Sequence, residues 1–145
     1  MFKTILLPTD GSPVSQTAID AAIKFAAICG SKLIALSVAD PTPYLPMTIE
    51  MPVGDTNLYQ QHMLQLAGAY VQKIADAATA AGVECETVVS QAPNPYEEIV
   101  HTATVRHCDV IFMASHGRRG LNKLFIGSET QKVLAHSVIP VLIFR

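Results

Sequence analysis

Five short apolar segments, separated by helix-forming stretches, constrain the fold of this chain more than any other feature. The segments read as strands and lie at residues 3–8, 32–38, 84–90, 109–113 and 141–144. Helices are predicted between them, over residues 13–29, 57–81, 94–106 and 128–136. Strands that alternate with helices in this way predict one α/β domain over residues 1–145, with a parallel sheet and helices on both of its faces.

Two of the helices are expected to begin at serine residues. Ser12 has the preference of an N-cap and Pro13 that of a first helical residue, and Gly30 should follow the last turn. Ser128 and Gln131 have the spacing of a capping box, so the fourth helix should start near residue 129.

The composition narrows the class of protein. Half of the residues are hydrophobic and the mean hydropathy is +0.32, yet no apolar run approaches the roughly 18–20 residues of a membrane span. A net charge of −2 argues against a nucleic-acid binder driven by bulk charge. The three cysteines are far apart and lack metal-site spacing, which favours free thiols in a reducing compartment. We therefore expect a cytoplasmic protein with no nucleic-acid or membrane partner.

Two loops that leave predicted strands carry the polar chemistry of the chain. The sequence PTDGS follows the first strand at residues 8–12, and ASHGRRGLNKLFIGSE follows the fourth at residues 114–129. In a strand order of 3-2-1-4-5 these loops are neighbours at the point where the order reverses, which is where open α/β sheets bind ligands. The sequence therefore predicts a ligand site formed by both loops.

The second loop has the properties of an anion site. Glycines at positions 117, 120 and 127 allow positive φ angles and close approach of a ligand to the backbone. A helix start at Ser128 presents unpaired N–H groups, and cations are present at Arg118, Arg119 and Lys123. These features favour a phosphate ligand, and the alternative is an ordinary glycine-rich connection with solvated arginines. The loop matches neither the P-loop pattern nor the dinucleotide fingerprint.

The spacing within this loop resembles that of the universal stress protein (UspA-like) family. Its nucleotide-binding members carry G-x2-G-x9-G-[ST] between the fourth strand and the fourth helix, and this chain has Ala114, Gly117, Gly127 and Ser128 at those positions. The opening ILLPTDGS and the ending HSVIPVLIFR also resemble the family's first and last strands, so the resemblance covers residues 2–145. It implies a Rossmann-like domain that binds ATP, or AMP or ADP, with Mg²⁺ as an accompanying ion.

The resemblance also implies which residues contact the nucleotide. Pro8 and Asp10 would border the nucleoside, Val38 would meet adenine through its backbone, and Met113 and Ala114 would lie under the sugar. The residues around the phosphates would be His116, Gly117, Gly127, Ser128, Glu129 and Thr130. No catalytic or metal-binding residue is assigned.

Several of these residues have a purely structural interpretation as well. Asp10 could stabilise its own turn, Ser128 could cap its helix, and Met113 and Val38 could be core residues at strand ends. Ala114 replaces the first glycine of the motif: alanine costs about 1–2 kcal/mol where φ must be positive, and its methyl group obstructs a ligand that must approach the backbone. We expect weakened nucleotide binding, and tighter binding by an Ala114→Gly variant.

Three functions remain open at this point. In the first, the nucleotide orders the loops at 40–56 and 118–126 and so changes a surface for an unknown protein partner during stress. In the second, the protein is a slow ATPase or phosphoryl transferase, although the sequence contains no evident metal-clamping carboxylate. In the third, it is a dimeric interaction protein that binds no nucleotide. A flavodoxin-like FMN protein is disfavoured because PTDGS is too short for its phosphate loop and the chain contains no tryptophan.

The last predicted strand is expected to form a homodimer interface. It is apolar, nearly uncharged and at the edge of the predicted sheet, and an exposed edge of this kind favours pairing with another strand. Pro140 is tolerated near the start of such a strand. The expected contact is antiparallel and uses the last strands of two copies, through Val141, Leu142, Ile143 and Phe144.

Overall fold

The computed structural model describes residues 2–42, 56–117 and 126–145, which form a five-stranded parallel sheet and four helices. In chain order the elements are β1 (Thr4–Pro8), α1 (Ser15–Cys29), β2 (Lys32–Ala39), α2 (Thr56–Ala80), β3 (Cys85–Gln91), α3 (Pro95–Val105), β4 (Val110–Ala114), α4 (Ser128–His136) and β5 (Val141–Phe144). The strand order β3-β2-β1-β4-β5 confirms the predicted order and fold class. Most of the predicted proline-rich loop, and residues 118–125 of the second loop, lie outside the described residues.

Both faces of the sheet are covered because side chains alternate along each strand. One core cluster contains Ile5, Leu7 and Phe112 together with residues of α1 and α2. A second cluster contains Leu6 and Ile111 together with residues of α3 and α4. The predicted helices on both faces are thus confirmed. Within the described ranges, no helix is both long enough and apolar enough to cross a membrane.

The prediction that Ser12 caps α1 is wrong. The helix begins at Ser15, Val14 occupies the N-cap position, and no side-chain cap bond is made. The Ser15 N–H, which a capping hydroxyl of Ser12 would accept, donates instead to the Ser12 backbone carbonyl at 3.1 Å. The Ser12 N–H donates to Asp10 Oδ1 at 3.0 Å. The Ser12 hydroxyl is buried, with no hydrogen-bond partner among the residues that the structure describes.

The predicted capping box at the start of α4 is also wrong. The helix begins at Ser128 itself, and the N-cap is Gly127, which has no side chain to contribute. The Gln131 side chain, which should have reached back to a serine cap, donates from Nε2 to the Ile126 carbonyl at 2.7 Å. Ser128 is therefore the first residue of the helix, where its side chain is exposed.

At the amino end of the sheet, Asp109 joins the start of β4 to the start of β1. Its Oδ2 accepts hydrogen bonds from the backbone N–H groups of Lys3 and Thr4, at 2.7 and 2.8 Å. The Asp109 N–H in turn donates to the Thr4 carbonyl at 2.9 Å. The two bonds to the carboxylate hold the pKa of Asp109 below its usual value, Thr4 having the larger effect.

We expect Asp109→Asn to lower the free energy of unfolding by about 0.5–1 kcal/mol at pH 7, since the amide replaces a charged acceptor of two bonds by a neutral one and solvent screens this exposed carboxylate. A carboxylate whose pKa is depressed in the folded state stabilises the protein above its unfolded pKa of about 3.9, and that stabilisation is lost as the pH falls through the folded pKa. Urea unfolding of both proteins should therefore give curves that differ at pH 7 and converge towards pH 3. Asp20→Asn, on the exposed side of α1, is the control and should change stability less. A deficit in Asp109→Asn that persists unchanged at pH 3 would contradict this role.

Candidate functional site

A cavity of about 540 Å³ lies at the carboxyl ends of β1, β2 and β4. The strand order reverses between β1 and β4, so the cavity occupies the place where sheets of this type bind ligands. Its lining includes every residue predicted for the site: Pro8, Asp10, Val38, Met113, Ala114, His116, Gly117, Gly127, Ser128, Glu129 and Thr130. The structure thus brings these residues together, and their contacts with a nucleotide stay a prediction.

One wall of the cavity was not predicted from the sequence. It is formed by α2, which contributes Met63, Leu66, Ala67 and Tyr70 opposite the ends of the strands. These four positions follow the i, i+3, i+4, i+7 spacing of one helix face, a pattern that predicts an apolar face but does not show that the face lines a cavity. Together with Leu36 of β2 they give this part of the cavity an apolar surface that suits a flat ring system.

The opposite part of the cavity is held by hydrogen bonds between the end of β4 and the start of α4. The Gly127 N–H donates to the Ser115 carbonyl at 2.7 Å, and the Thr130 hydroxyl donates to the Ala114 carbonyl at 3.1 Å. The Ser115 N–H donates to the Phe144 carbonyl of β5 at 2.7 Å. These bonds fix the start of α4 beside the cavity, and they already use the buried Thr130 hydroxyl that was predicted to contribute to phosphate binding.

Neither of the two described glycines of the motif has a positive φ, which corrects the expectation for them, and a lack of space beside the backbone explains the glycine at position 127. Gly127 has φ −62°, and Gly117 is not among the described glycines with a positive φ. A Cβ on Gly127 would lie 3.0 Å from the Cα atom of His116, and one on Gly117 would lie 2.5 Å from Asp10 Oδ2. Gly127 therefore lies against the backbone of its own loop, and at Gly117 the two strand-end loops meet through the flexible Asp10 side chain.

The alanine at the first motif position carries no backbone strain. Ala114 is the last residue of β4, and His107 is the one non-glycine residue with a positive φ in the described part of the chain. The cost of about 1–2 kcal/mol that a left-handed alanine would carry therefore does not apply. Ala114 is 8% exposed and belongs to the core cluster on the α1 and α2 side. The remaining reason to expect weakened nucleotide binding is that the methyl group of Ala114 obstructs the ligand.

The charged groups of the cavity include a pair that bridges two helix starts. Glu129 was expected beside the phosphates, but its Oε2 accepts a hydrogen bond from the Tyr96 N–H at the start of α3, at 3.1 Å. Its Oε1 lies 2.8 Å from Lys132 Nζ, and this hydrogen bond raises the pKa of Lys132. Lys132 also lines the cavity and was missed, because it falls outside the motif. Arg118, Arg119, Gly120 and Lys123 lie outside the described residues.

The fold and the cavity define an open, doubly wound α/β protein with a ligand-sized cavity at its switch point. The family model described as "Universal stress protein family" matches residues 1–145. The chain therefore belongs to the universal stress protein family, as the loop spacing indicated.

Individual relatives agree with this assignment. A universal stress protein of Thermus aquaticus is 33% identical over 147 residues, an alignment that spans 100% of both chains. The solved structure of protein MJ0577 has a TM-score of 0.82 at 28% identity and covers 99% of this chain and 95% of its own. MJ0577 is a universal stress protein of Methanocaldococcus jannaschii.

Two more distant structures were solved with nucleotides. A universal stress protein in complex with cAMP has a TM-score of 0.72 at 24% identity and covers 99% of this chain and 97% of its own. A family protein of Arabidopsis thaliana with AMP bound has a TM-score of 0.69 at 15% identity and covers 98% and 90%. At these identities the likeness shows a shared fold.

We expect Gly127→Ala to lower the free energy of unfolding by about 1–2 kcal/mol, because the new methyl group presses on the backbone of His116. The matched control is Gly68→Ala in α2, where a Cβ meets nothing within 4 Å. That variant should be more stable by about 0.5–1 kcal/mol, since alanine favours a helix interior. Urea unfolding followed by circular dichroism measures both changes. If both substitutions stabilise the protein, a side chain at position 127 does not press on the backbone of His116.

Proposed function

We propose that this universal stress protein is a regulatory module that binds an adenine nucleotide (AMP, ADP or ATP, the last two with Mg²⁺) in the cavity at the switch point. It would act in the cytoplasmic stress response as a homodimer. The observation that carries the proposal is the arrangement of the cavity, which combines an apolar wall from α2 with the start of α4 at Gly127 and Ser128. The family relationship and the two nucleotide complexes of proteins with this fold support adenine nucleotides as the ligands to test.

The division of the cavity matches the two halves of a nucleotide. A base would fit between the ends of the strands and the apolar residues of α2, where Val38 and Met113 face the cavity together with Leu66. A phosphate would fit at the start of α4, because the first N–H groups of a helix are unpaired and carry partial positive charge. Ser128, exposed and first in the helix, would add a hydroxyl.

Calorimetric titration of the full chain with AMP tests the phosphate position directly. Ser128→Asp should weaken AMP binding by about tenfold or more, because a carboxylate at this helix start repels the phosphate. The same substitution should preserve the fold, since acidic residues are favourable in the first turn of a helix. Thr56→Asp is the control: it adds the same charge at the start of α2, outside the lining of the cavity, and should leave AMP binding unchanged.

Two results would count against nucleotide binding at this place. The first is the absence of binding heat with AMP, ADP and ATP, combined with the absence of nucleotide released from the denatured protein by mass spectrometry. A dimeric interaction protein without a nucleotide would then be the better account. The second is equal weakening of AMP binding by Ser128→Asp and Thr56→Asp, which would indicate a general effect of charge.

The proposed homodimer uses the edge strand β5. This strand pairs with β4 on one side, and in the described sheet it has no neighbour on the other. Leu142 in the strand is 44% exposed and Val138 just before it is 91% exposed. Phe144, in contrast, packs against Phe112 in the core. Leu142 is therefore the side chain of β5 best placed to face a second copy.

We expect Leu142→Asp to convert the dimer to a monomer, because it places a charge at an apolar contact. Val89→Asp is the matched control on β3, the opposite edge strand, where Val89 is 38% exposed. Sedimentation velocity at tens of micromolar should show a dimer for the original chain and for Val89→Asp, and a monomer for Leu142→Asp. A monomeric original chain, or dissociation by Val89→Asp instead, would refute the β5 interface.

A further inference from the structure

A second cavity, of about 200 Å³, lies between the start of α1 and one face of α2. Thr9, Ser15 and Tyr70 line both this cavity and the larger one, so the two cavities are neighbours. Ser12, in the turn before α1, and Lys73 of α2 line the second cavity and are absent from the lining of the first. The second cavity is therefore a separate space with polar groups of its own.

The Ser12 hydroxyl faces an unmet demand for a hydrogen bond. Ser12 is 6% exposed, and its Oγ has no partner among the residues that the structure describes. The neighbouring hydroxyls are already used: Thr9 Oγ1 and Ser15 Oγ lie 3.2 Å apart, and the Ser15 hydroxyl donates to the Ser12 carbonyl at 2.6 Å. Buried polar groups are nearly always hydrogen-bonded, so the Ser12 hydroxyl indicates a partner from outside the chain.

This hydroxyl can turn without losing a bond. A serine side chain has three staggered positions about its Cα–Cβ bond, and a change between them is opposed when it breaks a hydrogen bond. The Ser12 hydroxyl has no such bond to break within the described residues. It is therefore available to a ligand in the cavity that Ser12 lines.

The surroundings of Ser12 favour an anionic ligand. The turn leads into α1, a helix of 15 residues whose start carries partial positive charge, and its first turn contains no acidic residue. Lys73 adds an exposed ammonium group, and none of the ion pairs among the described residues involves it. The described part of the lining contains no carboxylate, since Asp10, which accepts the Ser12 N–H, lines only the larger cavity.

The backbone at the start of α1 limits which groups can donate to such a ligand. The N–H groups of Ser15 and Gln16 donate to carbonyls three positions earlier, at 3.1 and 3.2 Å. The direct donors to a ligand are therefore side chains, namely the Ser12 hydroxyl and the Lys73 ammonium group. A phosphate group offers several charged acceptor oxygens, so it can accept from both.

We propose that the second cavity binds a small oxyanion of the phosphate class, which accepts a hydrogen bond from the Ser12 hydroxyl and faces the ammonium group of Lys73. Free inorganic phosphate and the phosphate group of a small ester share this chemistry. The site is distinct from the proposed nucleotide position at the start of α4, and it does not depend on nucleotide binding.

A titration of isotope-labelled Ser128→Asp protein with inorganic phosphate, at constant ionic strength, tests the site through backbone amide resonances. The new carboxylate repels phosphate from the start of α4, so the remaining binding reports on the second cavity. We expect saturable shifts at Ser12, Ser15 and Lys73, with a dissociation constant of about 1 mM. A parallel titration with glycerol 3-phosphate distinguishes the two sources, since the tighter ligand indicates whether free phosphate or an ester is preferred. The absence of saturable shifts at these residues with both compounds would overturn the proposal.

Ser12→Ala, made in the same background, tests the hydroxyl. It should weaken phosphate binding by about tenfold, because hydrogen bonds to charged groups are the strong ones. It should not lower the free energy of unfolding, since the hydroxyl has no bond to lose within the described residues. Ser90→Ala is the matched control: Ser90 Oγ is also buried and without a partner there, but Ser90 lines neither cavity. Unchanged binding by Ser12→Ala, or equal weakening by both variants, would show that the inference is wrong.

Lys73→Met should weaken phosphate binding by about threefold, a smaller effect because solvent screens the exposed ammonium group. Lys24→Met is its control, since Lys24 is an exposed lysine of α1 that lines neither cavity, and it should leave the affinity unchanged. Equal weakening by the two lysine variants would mean a general attraction by charge and would contradict the site. If phosphate binds as expected but no adenine nucleotide binds to the original chain, the proposed function fails and this inference stands.

Discussion

The parallel pairing of β1 with β4 in the middle of the sheet is the constraint on which the rest of the structure depends. Ile5 pairs with Val110 and Leu6 with Ile111, while the other side of β1 pairs with β2. Right-handed crossovers then place α1 and α2 on one face of the sheet and α3 and α4 on the other. The chain leaving β1 and the chain leaving β4 must therefore turn to opposite faces. The cavity is the space that these two turns leave between them.

The parts of this structure that could be predicted from sequence are those governed by local patterns. β4 is buried at every position, and its uninterrupted apolar sequence reflects that burial. The spacing of Gly117, Gly127 and Ser128 predicted residues that line one cavity, and a side chain at Gly127 would press on the backbone of His116. A glycine pattern does not show why glycine is required. Here neither Gly117 nor Gly127 has a left-handed backbone, so a positive φ is not the reason.

The features that could not be predicted depend on contacts between distant residues or on competing local ones. Ser12 has the preference of a helix cap, but the Ser15 N–H donates to the Ser12 backbone carbonyl and not to its hydroxyl, and the helix starts at Ser15. Met63 and Tyr70 have the spacing of a helix face, and the sequence does not show that this face lines a cavity instead of the closed core. The contact of Glu129 with Tyr96 joins residues 33 positions apart, so a local pattern cannot indicate it.

The central claim is that an adenine nucleotide binds at the switch point, with its phosphate at the start of α4. The most direct measurement is a titration of the isotope-labelled protein with AMP, followed through its backbone amide resonances. The account predicts that the largest shifts occur at Val38, Gly117, Gly127 and Ser128, with small shifts at the amino end of the sheet around Asp109. Saturating AMP that leaves the resonances of the cavity unchanged, or that shifts a different surface, would contradict it.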